Sequence, residues 1–241
     1  LALSGAGAFN TAAWTTNAIF VGNDAALRLD NTTTNVSQRT TSNTPASARG
    51  LILAGGNLEF RVNGAAASAE TFGTLTSGWG ANRLLVTTTG QGSTLTFGAV
   101  ASNVLSGGST LVFESTGTGA NFGTASNNVI FTTAPTLTGG ILARAVVVDG
   151  NGVNFATHGG NGTSIAAYGA YNNSGAYTDI NTAAAADNVK AGAGFVTTTS
   201  LTASRTINAL YLNGGGASVT GPAGAALTLT SGGILANNGA S

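Results

Sequence analysis

A single histidine, His158, and a single lysine stand among 241 residues that include no cysteine. A Ser-His-Asp relay or an imidazole metal site would rest on His158 alone. Its surroundings, Thr157-His-Gly-Gly-Asn-Gly162, are a glycine-rich turn sequence, which reads as a surface-loop histidine. The lack of cysteine excludes a disulfide framework and a thiolate metal site. Sugar hydrolysis needs two carboxyl groups facing each other. Glu59 and Glu70 fall about half a repeat apart, Glu114 is isolated, and no constellation stands out. Asp149-Gly-Asn-Gly152 has the outline of a Ca²⁺ loop. An EF-hand needs more acidic oxygens and a distal Glu, and nonapeptide Ca²⁺ repeats need many copies; one copy reads as a corner. Asp179 and Asp187 are a weak pair for an ion. Gly117-Thr-Gly-Ala-Asn-Phe-Gly123 has neither the spacing nor the following helix of a dinucleotide fingerprint. The expectation is no enzyme, no metal and no cofactor.

Aromatic side chains are the remaining candidates for ligand contact. Tyr168, Tyr171 and Tyr177, with Trp14 and Trp79, can stack on sugar rings, or they can pack a loop onto the body of the fold. Thr87-Thr-Thr89 and Thr197-Thr-Thr199 lack the regular array an ice-binding surface requires. Asn31, Asn35, Asn161 and Asn172 fit the N-glycosylation pattern.

These residues sit in an unusual chain. Charged residues make up 7% of it, eight basic and eight acidic, against roughly 25% in ordinary soluble domains. No basic stripe exists, so nucleic acid has no electrostatic footprint. No apolar run reaches the roughly 18 residues of a membrane-spanning helix. Glycine is abundant at 37 and proline rare at 3, without the triplet period of collagen. Hydrophobic residues are 42%, enough for a core. The chain starts at Leu1 without methionine or a signal-like segment, which suggests a processed or internal piece of a longer product.

The elements that must carry all this are strands. Short packets of alternating apolar and polar residues recur between Gly and Asn: Ala26–Asp30, Asn57–Val62, Thr71–Thr76, Arg83–Thr87, Ser93–Phe97, Ser109–Phe113, Asn128–Phe131, Ile141–Val148, Ile207–Leu212 and Ala226–Thr230. Ser93-Thr-Leu-Thr-Phe97 and Ser109-Thr-Leu-Val-Phe113 share one theme, as solenoid repeats do. The reading is an all-β, right-handed parallel β-helix in a single domain over 1–241, with about ten coils of roughly 20 residues. Asn63-Gly64, Asp149-Gly150 and Asn213-Gly214 serve as its corners. A sandwich or barrel is the alternative, disfavoured by packets of about three to five residues. Two loop excursions interrupt the rhythm, about 30–49 and 158–193, the second holding Ala183–Ala186 as one or two helical turns.

The quoted residues also carry a family resemblance. Arg205-Thr-Ile-Asn-Ala-Leu-Tyr-Leu-Asn-Gly-Gly-Gly216 and Leu227-Thr-Leu-Thr-Ser-Gly-Gly-Ile-Leu235 resemble the autotransporter-associated β-strand repeat proteins of bacteria, notably the giant planctomycete and verrucomicrobial forms. Leu137-Thr-Gly-Gly-Ile-Leu142 and Val148–Thr157 are similar to the segment that precedes those repeats, and the likeness spans roughly residues 50–241. It implies an exported right-handed β-helix with surface, adhesive or scaffold roles and no catalytic residues. The expectation is therefore an extracellular or cell-surface structural rod. Its partners are further copies joined head to tail, the continuation of a longer chain, or surface glycans, with a carbohydrate-binding or carbohydrate-cleaving β-helix as the alternative. Leu227–Gly239 reads as strand, Gly-Gly corner, strand, with no charge, proline or covering helix to guard its edge. Leu1, Leu3, Leu227, Leu229, Ile234 and Leu235 are the expected assembly contacts, and Tyr168, Tyr171 and Tyr177 the expected glycan contacts.

Overall fold

The computed structural model describes residues 1–9, 18–40, 44–101, 108–160, 163–171, 179–192, 196, 199–214 and 217–237. The chain is all-β and packs as two compact units. Leu1–Thr136 with Ala145–Ala167 forms the first, and Leu137–Arg144 with Tyr168–Ser241 the second. No helix among the described residues is long and apolar enough to cross a membrane.

In the first unit the strands run β1 (Ala2–Leu3), β2 (Ile19–Gly22), β3 (Ala26–Asp30), β4 (Leu51–Ala54), β5 (Asn57–Arg61), β6 (Ser68–Phe72) and β7 (Leu75–Ser77). They continue as β8 (Gly80–Thr89), β9 (Ser93–Phe97), β10 (Ser109–Thr118), β11 (Asn127–Phe131), β12 (Ala145–Asp149), β13 (Gly152–Gly160) and β14 (Ser164–Ala167). The second unit holds β15 (Asn188–Ala191), β16 (Arg205–Asn213) and β17 (Leu227–Asn237). Three sheets result, ordered β2-β4-β7, β15-β16-β17, and β1-β3-β5-β8-β10-β12-β13-β14-β11-β9-β6.

The period-2 alternation decides which residues face inward. Because β3, β5, β8, β10 and β12 pair in parallel register, Leu27, Leu58, Leu84, Phe113 and Val147 fall into one column, and all five are buried. Leu29, Phe60 and Val86 make a second buried column. On β6, β9 and β11, Phe72, Phe97 and Phe131 superpose. Their rings stack at 5.3 and 5.5 Å between centroids, within the spacing at which aromatic pairs attract. The opposite face of β3, β5, β8 and β10 carries the charges. Arg28 meets Glu59 and Arg83 meets Glu114, each at 2.6 Å. Glu114 is thus paired, not isolated.

Several expectations are corrected. Stacked partners in the first unit lie 24 to 34 residues apart, and in the second 20 to 22, so the 20-residue repeat fits the second. Most described strands have the three to five residues expected, but β8 and β10 have 10 each and β17 has 11. Pairing is parallel from β1 to β12, in β6-β9-β11, and in both three-stranded sheets. It is antiparallel at β12-β13, β13-β14 and β14-β11, so the large sheet is mixed. The cause is local. Asp149-Gly-Asn-Gly152, read as a corner, is a hairpin turn in which Asp149 pairs with Gly152. Gly152 takes φ +84°, a value glycine reaches without strain, and Asp149 Oδ1 accepts from Asn151 N at 2.8 Å. The Asx turn closes the two-residue loop that hairpins favour.

The second excursion contains strands: His158–Gly160 ends β13, Ser164–Ala167 is β14, and β15 pairs with β16. The first holds no strand among its described residues beyond Asp30, but it lies against β6, with Gln38 N donating to Ala69 O at 3.0 Å. The helical turn lies at Ile180–Thr182 as a 3₁₀ turn capped by Asp179, ahead of the alanine run, because the Asp179 carboxylate supplies the N-terminal acceptor that alanines lack. The Gly-Gly corner expected in Leu227–Gly239 is an irregularity within one continuous strand. Ile207 pairs with Leu229 and Ala209 with Gly233, so β17 absorbs extra residues there.

Phe97 has a ring on either side. Phe97→Ala is expected to cost about 3–5 kcal/mol in denaturant unfolding. Thr96→Ala, on the opposite face of the same strand, should stay within about 0.5 kcal/mol.

Candidate functional site

The polar residues that sequence places in turns converge inside the molecule. In the second unit Asn188 and Asn208 are buried and stacked on β15 and β16. Thr230 Oγ1 donates to Asn208 Oδ1 at 3.0 Å, and Asn208 Nδ2 donates to Asn188 Oδ1 at 2.6 Å and Thr138 O at 3.0 Å. Asn188 Nδ2 in turn donates to Gly139 O and to the Tyr168 hydroxyl, both at 2.7 Å, and that hydroxyl donates to Ala170 O at 2.8 Å. Every donor in this relay is used, and such chains polarise one another. The first unit repeats the device. Asn82 Nδ2 donates to Ser77 Oγ at 2.9 Å while its Oδ1 accepts from Gly55 N at 2.8 Å. Asn127 Nδ2 donates to Ser115 Oγ at 2.7 Å and Ala120 O at 2.9 Å.

Beside the relay lies an aromatic cluster with the sole lysine. Lys190 Nζ is 5.2 Å from the Tyr171 ring centroid and 4.8 Å from that of Tyr211, inside cation–π range. Burial pushes its ammonium below the usual lysine value. Tyr171 meets Tyr168 edge-on at 5.1 Å and Tyr211 at 5.7 Å. Tyr168 is 5% exposed and Tyr211 2%, so these two rings are interior surfaces. The cluster packs the segment before β15 onto β16; it offers no open stacking platform at Tyr168. Tyr177 and Trp14 lie outside the described residues. Trp79 is 64% exposed.

A second polar centre lies in the stretch expected to be a loop, residues 31–40. Arg39 is fully buried. Its guanidinium donates to Gly7 O, to Gly5 O at 2.8 Å, to Asp30 O at 3.0 Å, to Thr34 O at 3.3 Å and to Asn31 Oδ1 at 2.9 Å. Its backbone N and that of Thr40 donate to the Glu70 carboxylate. Sequence reasoning missed Arg39; an arginine within a polar, proline-containing stretch gives no signal of burial.

The other expected residues lie in strands and turns. His158 lies in β13 opposite Ile165, in a strand and not a surface turn. Asp149 caps the hairpin and accepts from Phe122 N at 3.0 Å. Asp179 accepts from Asn181 N at 2.9 Å, and Asp187 from Ala184 N at 2.9 Å. No group of three metal-ligating side chains forms among the described residues. Asn31 is buried on Arg39, which places its amide out of reach of a glycosyl donor. Of the expected assembly contacts, Leu1 is 74% and Ile234 64% exposed. Leu3, Leu227 and Leu229 are half-buried, the last two packed on the cluster of Ile180, Val189, Ile207 and Leu210. Leu235 is buried.

Compared with family models, curated proteins and solved structures, the chain matches none.

Asn208→Ala strips Asn188 and Thr138 of a donor and Thr230 of an acceptor. It is expected to lower unfolding free energy by about 3 kcal/mol, the upper end for a buried unsatisfied group. Asn237→Ala, half-buried and joined to Tyr211 at 3.4 Å, should cost under about 1 kcal/mol in the same measurement.

Proposed function

We propose that the chain is a structural segment of an exported bacterial parallel β-helix, working as a rod at or outside the cell surface. The observation that supports this reading best is the column register: the same inward position is filled strand after strand by Leu27, Leu58, Leu84, Phe113 and Val147. Parallel pairing between strands about 30 residues apart stacks side chains along one axis, and stability then accumulates layer by layer. The resemblance of Arg205–Gly216 and of Leu227–Leu235 to bacterial β-strand repeats fits the same picture, since Arg205–Asn213 and Leu227–Asn237 are neighbours in register as β16 and β17. The buried polar ladders and paired carboxylates serve the scaffold.

Growth along the axis on which the strands stack runs through β17. It ends the sheet β15-β16-β17, spans 11 residues and contains no charged residue, the composition of an edge open to pairing. Ile234 stands outward from it. The occupant of this edge is the continuation of a longer chain or a further copy; a copy docked head to tail is a heterologous contact that propagates into a filament.

Electron microscopy of the purified chain at rising concentration is expected to show filaments. Ile234→Lys should abolish them while leaving the β-sheet circular dichroism unchanged. A monodisperse monomer that releases reducing ends from a polysaccharide would overturn the structural reading, and unaltered filaments with Ile234→Lys would overturn the role of the β17 edge.

A further inference from the structure

Glu70 is a carboxyl group in an apolar column. On β6 it faces inward, and the positions stacked with it are Leu95 on β9 and Val129 on β11. All three are buried. The arm that covers Glu70 is residues 31–40, which runs beside β5 and β6: Asn31 N donates to Arg61 O and Gln38 N to Ala69 O, both at 3.0 Å. Glu70 Oε1 accepts from Arg39 N at 3.1 Å, and Oε2 accepts from Thr40 N at 3.4 Å.

Two geometric facts set the protonation state. The Arg39 guanidinium is turned to the carbonyls of Gly5, Gly7, Asp30 and Thr34, so it forms no ion pair with Glu70 among the described residues. Thr40 Oγ1 lies 2.5 Å from Thr71 O and 3.3 Å from Glu70 Oε2. A hydroxyl has one hydrogen. The shorter contact takes it, and the lone pairs of Thr40 Oγ1 then face Glu70 Oε2. Two acceptors sit opposite each other unless the carboxyl carries a proton to donate.

We propose that the arm Asn31–Thr40 is a proton-coupled latch: closing it takes up one proton on Glu70, and opening gives that proton back. Burial raises the Glu70 carboxyl from 4.5 to about 7, against the opposing pull of the Arg39 and Thr40 donors and of the Arg39 charge. No other charged group faces it among the described residues. The strand beneath presents Leu95, and Asp30 and Arg61 pair with each other at 3.8 Å. Once the arm opens, Glu70 meets water and returns to an ordinary carboxyl. The closed arm binds the proton more tightly, so latch stability is complete below pH 4.5, is lost progressively as pH rises, and levels off above about 7. Opening also withdraws Arg39 from the carbonyls of Gly5 and Gly7, while β1 keeps its own ladder to β3. The latch is independent of whether the chain forms filaments.

Hydrogen–deuterium exchange of the full chain, corrected for intrinsic rates, tests it. Amides of 31–40 are expected to lose protection about tenfold per pH unit between 4.5 and about 7 and then plateau, while those of β8 and β10 hold. Glu70→Gln, which stays neutral, should flatten the profile. A pH-independent wild-type arm, or a slope retained in Glu70→Gln, would overturn the latch. Should that variant not fold, carboxyl-carbon NMR of wild-type Glu70 decides: a midpoint near 7 supports it, and one near 4.5 overturns it.

Discussion

Parallel strands cannot be joined by a tight turn. Between any two of them the chain leaves the ladder, and the peptide groups at each departure lose their strand partners. A buried peptide group without a partner costs about as much as a lost hydrogen bond. Here stacked amide and hydroxyl side chains meet that demand. Asn82 serves Gly55 N, and Asn127 serves Ala120 O. Asn188 and Asn208 serve Gly139 O and Thr138 O. The apolar columns rest on this condition, for Leu and Phe stack in register only if the ends of their strands are held at fixed spacing.

The sparse charge is spent on the same task. Arg28, Glu59, Arg83 and Glu114 form close pairs across neighbouring strands. Arg39 ties together the carbonyls of the first rungs. Asp149, Asp179 and Asp187 each accept from a backbone amide at a turn. These ionic groups either pair across strands or complete the backbone.

Alternation was the legible part of the sequence. Leu27 and Leu29, Leu58 and Phe60, Phe72, and Leu95 and Phe97 all face inward as their period demands. What alternation does not contain is the partner of a strand. Asp149-Gly-Asn-Gly152 suits a corner and a hairpin equally, and only the availability of β12 for antiparallel pairing decides between them. Asparagine and serine are turn formers in any short window, so burial such as that of Asn188 against Asn208 or of Ser93 against Asn127 appears when residues 20 and 34 apart are brought together. Arg39 and Glu70 were hidden for the same reason, since each owes its place to a segment about one layer away. Tyr168 and Tyr171 were expected, with Tyr177, to contact glycan or to pack a loop; Tyr168 meets Asn188 of β15 and Tyr171 meets Tyr211 of β16.

The ring stack of Phe72, Phe97 and Phe131 has a consequence for descent. Each ring belongs to one strand of β6-β9-β11, and each strand presents the same face to the next. Loss or gain of one residue inside a strand turns every later side chain of that strand to the wrong face. Loss or gain of residues in the connection between two strands leaves the column continuous. Length changes in related chains are therefore expected at the connections and not within β6, β9 and β11.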